Sequence, residues 1–339
     1  MNLDLNKSPT VDELLSQIES HAFIGTKGSL TQNEESPSPS DIQDLRTSAE
    51  VLISARDYAL ARNILLTMVR NGTLVGWALR TMGKTYEFEE NLDRARRCFQ
   101  DAIAYEPHLE AYRCLASLEI RSKNDAAAAD ALERALNLRD LLPNIRFEIH
   151  KASGNCWMRA QRMEKAEHHY KRALSIDPTS DQISSNLGAL YLQSGRIRDA
   201  QRFFEDALVA NPSNSRALSG LGAAYLAEGK KREAHDQFAR SLQIDLNQPN
   251  SIYHLVKCAY EIKSYATAAR ILGDYVQVSP VNANLLYSLA GFQFHLGRID
   301  EARATVSKIL QIQPTHTGAN ELSKLIERYA VSQSNRSDA

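Results

Sequence analysis

Little in this chain of 339 residues is set up for chemistry. Its four cysteines, Cys98, Cys114, Cys156 and Cys258, never form a Cys-x-x-Cys pair. That argues against a zinc ribbon or a disulfide framework and suits a reducing compartment. Lys and Arg number 40 against 41 Asp and Glu, for a net charge of −1. The basic excess of a general nucleic-acid binder is therefore missing. No apolar run is long enough to span a bilayer, and the N-terminus has no signal-peptide core, so no membrane insertion and a cytoplasmic location are expected. Alternating apolar and polar residues are absent too, which argues against a β-sheet.

Catalytic signatures are equally scarce. Gly220-x-Gly222 is too short for a phosphate-cradling loop, and no Gly-x-Ser-x-Gly elbow occurs. His168-His169, beside Glu164 and Glu167, lacks the metalloprotease spacing and is expected to be solvated helix surface. No catalytic residue, cofactor or metal ligand is expected, and the chain reads as no enzyme.

What the sequence does contain is a period. From Asp181 onward come Leu187-Gly188, Tyr191, Gly195, Ala200, Phe204, Ala207 and Pro212. From Ser215 the frame repeats with Leu221-Gly222, Tyr225, Gly229, Ala234 and Phe238. Residues 147–180 carry Gly154, Trp157, Ala166, Tyr170, Ala173 and Pro178, and 76–108 carry Gly83, Tyr86, Ala95, Phe99, Ala102 and Pro107. Between them, 109–146 runs long through Leu141-Leu142-Pro143-Asn144, which predicts an extended inter-helix loop. The stretch 42–75 is degenerate and lacks its closing proline. Residues 249–282 have Val256 where glycine belongs, and 283–316 keep Leu289-Ala290, Gly297, Ala302 and Pro314.

A Leu-Gly, a Tyr, an Ala, a Phe and a closing Pro about every 34 residues resembles the tetratricopeptide repeat. The resemblance implies an all-α, right-handed α-solenoid of eight helix pairs over residues 42–316, with a capping helix at 317–331. Small residues let paired helices approach, the aromatic at the twenty-fourth position fills the gap, and proline ends the second helix. Residues 332–339 read as a disordered tail. At the other end, Gly25–Ser40 has linker composition. Before it, Val11, Leu14, Leu15 and Ile18 recur at helical spacing, predicting a short amphipathic helix at 11–20. Residues 1–40 hold six acids and two lysines, a balance of −4.

In this family, several first-helix positions line the concave face, where partners bind. The fifth position reads Arg46, Arg80, Arg113, Lys151, Ser185, Ser219, Tyr253, Tyr287. Lys84, Arg121 and Arg159 extend the basic half, and Tyr260, Phe294 and His295 the aromatic half, while Glu50, Glu87, Glu110 and Glu148 share the groove. Lys151, Asn155, Asn186 and Arg216 also match, by spacing, a clamp that family co-chaperones use on acidic chaperone tails. Gly220 stands where its last arginine belongs. These residues imply a non-catalytic adaptor that holds an acidic or amphipathic protein segment; the alternative is a regulatory or co-chaperone subunit acting on an enzyme or small GTPase. Residues 11–20 are expected to be able to fill the groove of their own chain or of a second copy. No nucleic-acid partner is expected.

Overall fold

A computed structural model describes residues 38–278 and 282–337 of the chain. Seventeen helices and no strand occur among the described residues. They fall into two compact units, residues 1–162 and 163–339. The first holds α1 (Pro39–Ser54), α2 (Tyr58–Arg70), α3 (Val75–Phe88), α4 (Leu92–Tyr105), α5 (Leu109–Arg121), α6 (Asp125–Ala135) and α7 (Pro143–Arg159). The second holds α8 (Met163–Ile176), α9 (Asp181–Gln193), α10 (Ile197–Ala210), α11 (Ser215–Ala227) and α12 (Lys231–Ile244). It continues with α13 (Pro249–Ile262), α14 (Ala266–Val278), α15 (Ala283–His295), α16 (Ile299–Ile312) and α17 (Thr317–Ser337). The amphipathic segment expected at 11–20 lies outside the described residues.

Helical hairpins stack within each unit, with α7 ending the first and α8 opening the second, and the chain chemistry explains the hairpins. Short polar side chains cap first turns that would otherwise leave backbone N–H groups unmet. Asn91 accepts from the Arg94 N–H at 3.3 Å, and Asn214 from the Ala217 N–H at 2.9 Å. The turn inside three hairpins uses Gly195, Gly229 and Gly297, with φ between 74° and 76°. In others the same left-handed position is held by Arg56, Glu90, Lys123 or Lys263, at φ 55–62°. Ala95, Phe99, Ala200, Phe204, Ala234 and Phe238 are buried, as the repeating alanine and aromatic positions require.

Three boundaries differ from expectation. The first helix begins at Pro39 rather than Ile42, because Ser38 and Asp41 close a capping box and proline suits the first helical turn. In the long stretch before α7, only residues 136–142 form the loop; Pro143 and Asn144 join the helix. Arg146 ties that loop down by donating to the carbonyls of Leu141 and Leu136 at 3.3 and 3.4 Å. The tail expected to be loose from 332 is helical to Ser337, since no proline or glycine after Gly318 stops α17. The degenerate first hairpin ends without proline at Gly72, whose φ is 66°.

Candidate functional site

In the first unit the odd-numbered helices α1, α3 and α5 present a row of cations. Arg46 of α1 reaches across to lie over the Trp77 ring of α3 at 5.2 Å, and Arg121 of α5 pairs with Glu87 of α3. Neighbouring first helices are thus in contact. Not all the cations in the row are alike. Arg46 is paired with Glu50 at 3.0 Å, Lys151 with Glu148 at 2.7 Å, and Arg159 with Asp125 at 2.7 Å. Three of the four groove glutamates named from the sequence are therefore occupied by neighbouring cations.

Arg80, Lys84 and Arg113 make no ion pair among the described residues. Lys84 and Arg113 are exposed and Arg80 is half-buried. Arg80 and Lys84 both bear electrostatically on the Cys114 thiol of α5, and Glu110 and Glu87 act on it with the opposite sign. Burial dominates there and pushes the Cys114 thiol upward. Glu106 and Arg80 both border Gly76 without closing a pair. In the strip between α3 and α5, three cations unpaired among the described residues thus stand against one unpaired carboxylate, Glu110, with cations already neutralised on either side.

In the middle of the fifth-position column the serine hydroxyls are engaged within the protein. Ser185 is buried and donates to the Asp181 carbonyl at 2.8 Å, while the Ser219 and Ser251 hydroxyls are 2.7 Å apart. Asn155 and Asn186 are half-buried, and Arg216 is exposed with no ion pair among the described residues. Gly220 has a physical reason to be glycine. A Cβ there would lie 2.3 Å from Phe204 Cε1 and Cζ, so the arginine of the co-chaperone clamp has no room.

The aromatic half is partly structural. The Tyr260 ring sits 4.7 Å from Phe292, and its hydroxyl donates to the Ser288 carbonyl at 3.3 Å. Burial, then the neighbouring Tyr287 and Tyr265, push its phenol up to about 12. Tyr260 and Tyr287 lie against Gly291 and Gly318, where any side chain would collide with them. Phe294 meets Tyr329 edge-on at 5.9 Å. Tyr253 is the most open of the three tyrosines, at 62% exposure.

Two features escaped the sequence. His169, expected on the surface with His168, is buried. Its place beside Tyr170 on α8 puts it on the packed face, a helical phase that the pattern alone could have revealed. A cleft of about 780 Å³ also opens between α14 and α16, with Leu286 and Leu289 at its floor and Arg270, Arg298, Glu301 and Lys308 at its rim. Among the described residues no group of three His, Cys, Asp or Glu is placed to hold a metal, and no helix is long and apolar enough to cross a membrane.

Comparison with known proteins agrees with the architecture. Family models described as tetratricopeptide repeat match residues 80–144, 158–210, 186–249 and 259–323. The mouse (Mus musculus) protein O-mannosyl-transferase TMTC1 is 28% identical over 113 residues, 33% of this chain and 11% of that protein. The DnaJ homolog subfamily C member 7 homolog of Dictyostelium discoideum is 24% identical over 189 residues, 51% of this chain and 35% of that protein. The chain thus spans between about a tenth and about a third of the length of these curated relatives. A solved tetratricopeptide repeat protein from Parabacteroides merdae is 18% identical, with a TM-score of 0.48 over 74% of this chain and 98% of that one.

Proposed function

The chain belongs to the tetratricopeptide repeat family, and from that premise we propose that it is a non-catalytic adaptor holding an acidic segment of a partner protein along α3 and α5. The observation carrying this reading is the contrast within one row of cations. Arg46, Arg121, Lys151 and Arg159 have intramolecular carboxylates, whereas Arg80, Lys84 and Arg113 have none among the described residues. Two guanidinium groups on adjacent helices suit bidentate contacts with successive carboxylates. Arg121 and Arg159 tie neighbouring helices together, while Arg46 and Lys151 pair within their own helices, and all four frame the strip. In the second unit, taken by itself, Tyr253 offers an exposed apolar contact, and Tyr260, Tyr287 and Phe294 are partly open. Arg216, Asn155 and Asn186 contribute polar contacts.

The alternative, a regulatory or co-chaperone subunit acting on an enzyme or small GTPase, uses the same surface on a different partner. The deciding experiment captures a partner with the wild-type chain, identifies it, and measures its affinity for two variants. Arg80→Glu/Lys84→Glu/Arg113→Glu should lose binding by several kcal/mol, the cost of placing like charges together. Lys151→Glu alone should cost much less, since Lys151 already has a carboxylate at 2.7 Å. Unchanged affinity in the folded triple variant would refute the reading. A chaperone with an acidic C-terminus as the captured partner would select the alternative.

A further inference from the structure

We infer that the acidic segment Val11–Ile18 docks in cis on the Arg80–Lys84–Arg113 strip and competes there with the external partner. This rests on the groove reading above and adds its regulation. Two observations bring the segment and the strip together. The strip carries three cations that make no ion pair among the described residues and one unpaired carboxylate, Glu110, a net positive balance. Residues 1–40 carry a balance of −4, with Asp12, Glu13 and Glu19 in or beside the amphipathic stretch.

The geometry also fits. In the helix that the sequence predicts, Asp12 and Glu19 lie about 10 Å apart along one side, from a rise of 1.5 Å per residue. Packed helices generally stand about 8–10 Å apart, a spacing similar to that between the two carboxylates. Val11, Leu14, Leu15 and Ile18 then face the half-buried Trp77 and the aliphatic stems of the arginines.

Reach is sufficient. As a coil, residues 21–38 would span about 21–25 Å. From the start of α1 at Pro39 to the strip is about 20–25 Å, counting two helix spacings across and about 10 Å along the helix.

A second opening competes for the segment. The outer face of α1, lined by Asp44, Thr47, Ser48, Val51 and Leu52, leaves Val51 60% exposed. Its one charged residue is Asp44, which repels Asp12 and Glu13, so electrostatics favour the strip over the apolar face.

Carbodiimide cross-linking of the full chain tests the contact, because it joins a carboxylate to an amine only when the two touch. The expected product is an amide between Lys84 and Asp12, Glu13 or Glu19 within one chain. Its yield should fall by more than about ten-fold in Arg80→Glu/Arg113→Glu, which keeps Lys84 as reporter and whose helicity is checked by circular dichroism. In parallel, Asp12→Asn/Glu13→Gln/Glu19→Gln should bind the captured partner more tightly than wild type. Absence of the Lys84 link, persistence of it in the arginine variant, or links only between isotopically distinct copies would each overturn docking in cis. If the link is absent while partner binding still depends on Arg80, Lys84 and Arg113, autoinhibition alone is refuted. If partner binding does not depend on them either, both readings are refuted.

Discussion

Replacing Gly220 with alanine should destabilise the second unit, although the change adds a single methyl group to a helix. The Phe204 ring is held between two glycines, Gly188 of α9 and Gly220 of α11. A Cβ at Gly188 would lie 2.7 Å from the ring, and one at Gly220 would lie 2.3 Å from it. Carbon atoms rest at about 3.5–4.0 Å, so the ring must move by more than 1 Å. It cannot retreat, because α9 already presses on its other face and Phe204 is only 2% exposed. Overpacking of this kind costs about 1–3 kcal/mol. In a unit of this size, residues 163–339, that corresponds to a melting point lower by about 2–12 °C.

The control is Gly273 of α14, where an added Cβ meets nothing within 4 Å. Gly273→Ala should raise stability by about 0.5–1 kcal/mol through helix propensity alone. Thermal and urea unfolding followed by circular dichroism would measure both. Pairing Gly220→Ala with Phe204→Leu should recover part of the loss, as the smaller side chain can yield. If the two glycine variants shift the midpoint in the same direction, close approach at Phe204 is not what holds α9, α10 and α11 together.

Other outcomes follow from individual contacts. Arg96 Nε donates to Glu119 at 2.5 Å, and the Glu119 side chain is only 4% exposed. Arg96→Met should therefore cost up to about 3–5 kcal/mol in urea unfolding, and Arg96→Met/Glu119→Leu should recover most of it. Burial, then Lys257, lowers the pKa of His254, whose ring stacks on Phe238 at 5.2 Å. The unfolded chain then binds the proton more readily, so stability should be level above about pH 7 and fall as pH drops through about 6.5. His254→Phe should flatten that fall. Burial pushes the Cys98 thiol up to about 12 and the other three thiols upward as well. All four should react with a disulfide reagent at pH 8 far more slowly in the native protein than in denaturant.

Much of the fold can be read directly from the residues. The period placed glycine and alanine opposite an aromatic in hairpin after hairpin, and such a register admits only stacked pairs because no single pair buries its own apolar stripe. Even two of the ion pairs carry the period, for Glu87–Arg121 and Asp125–Arg159 each join residues 34 apart. Boundaries were less legible. Helix ends depend on a cap such as Ser38 with Asp41, or on nothing stopping the chain, as after Gly318, and these local effects leave the repeat pattern unchanged.

The candidate site divides in the same way. The sequence placed cations at one repeat position of successive first helices and tyrosines at the equivalent positions further along, and the family resemblance implies that this position lines a groove. Neither could say which of those cations remain available, because Arg46, Arg80, Arg113 and Lys151 occupy equivalent positions and differ only in their neighbours. Whether a glutamate on the same or the adjacent helix reaches a guanidinium is settled by side-chain geometry over a few ångströms. The same holds for Gly220, whose missing side chain looked like a lost contact until packing showed the Phe204 ring in its place. Periodicity determined the face on which each residue stands, whereas tertiary packing decided which residues on that face are already paired or packed, because pairing and packing depend on distances that a one-dimensional repeat does not encode.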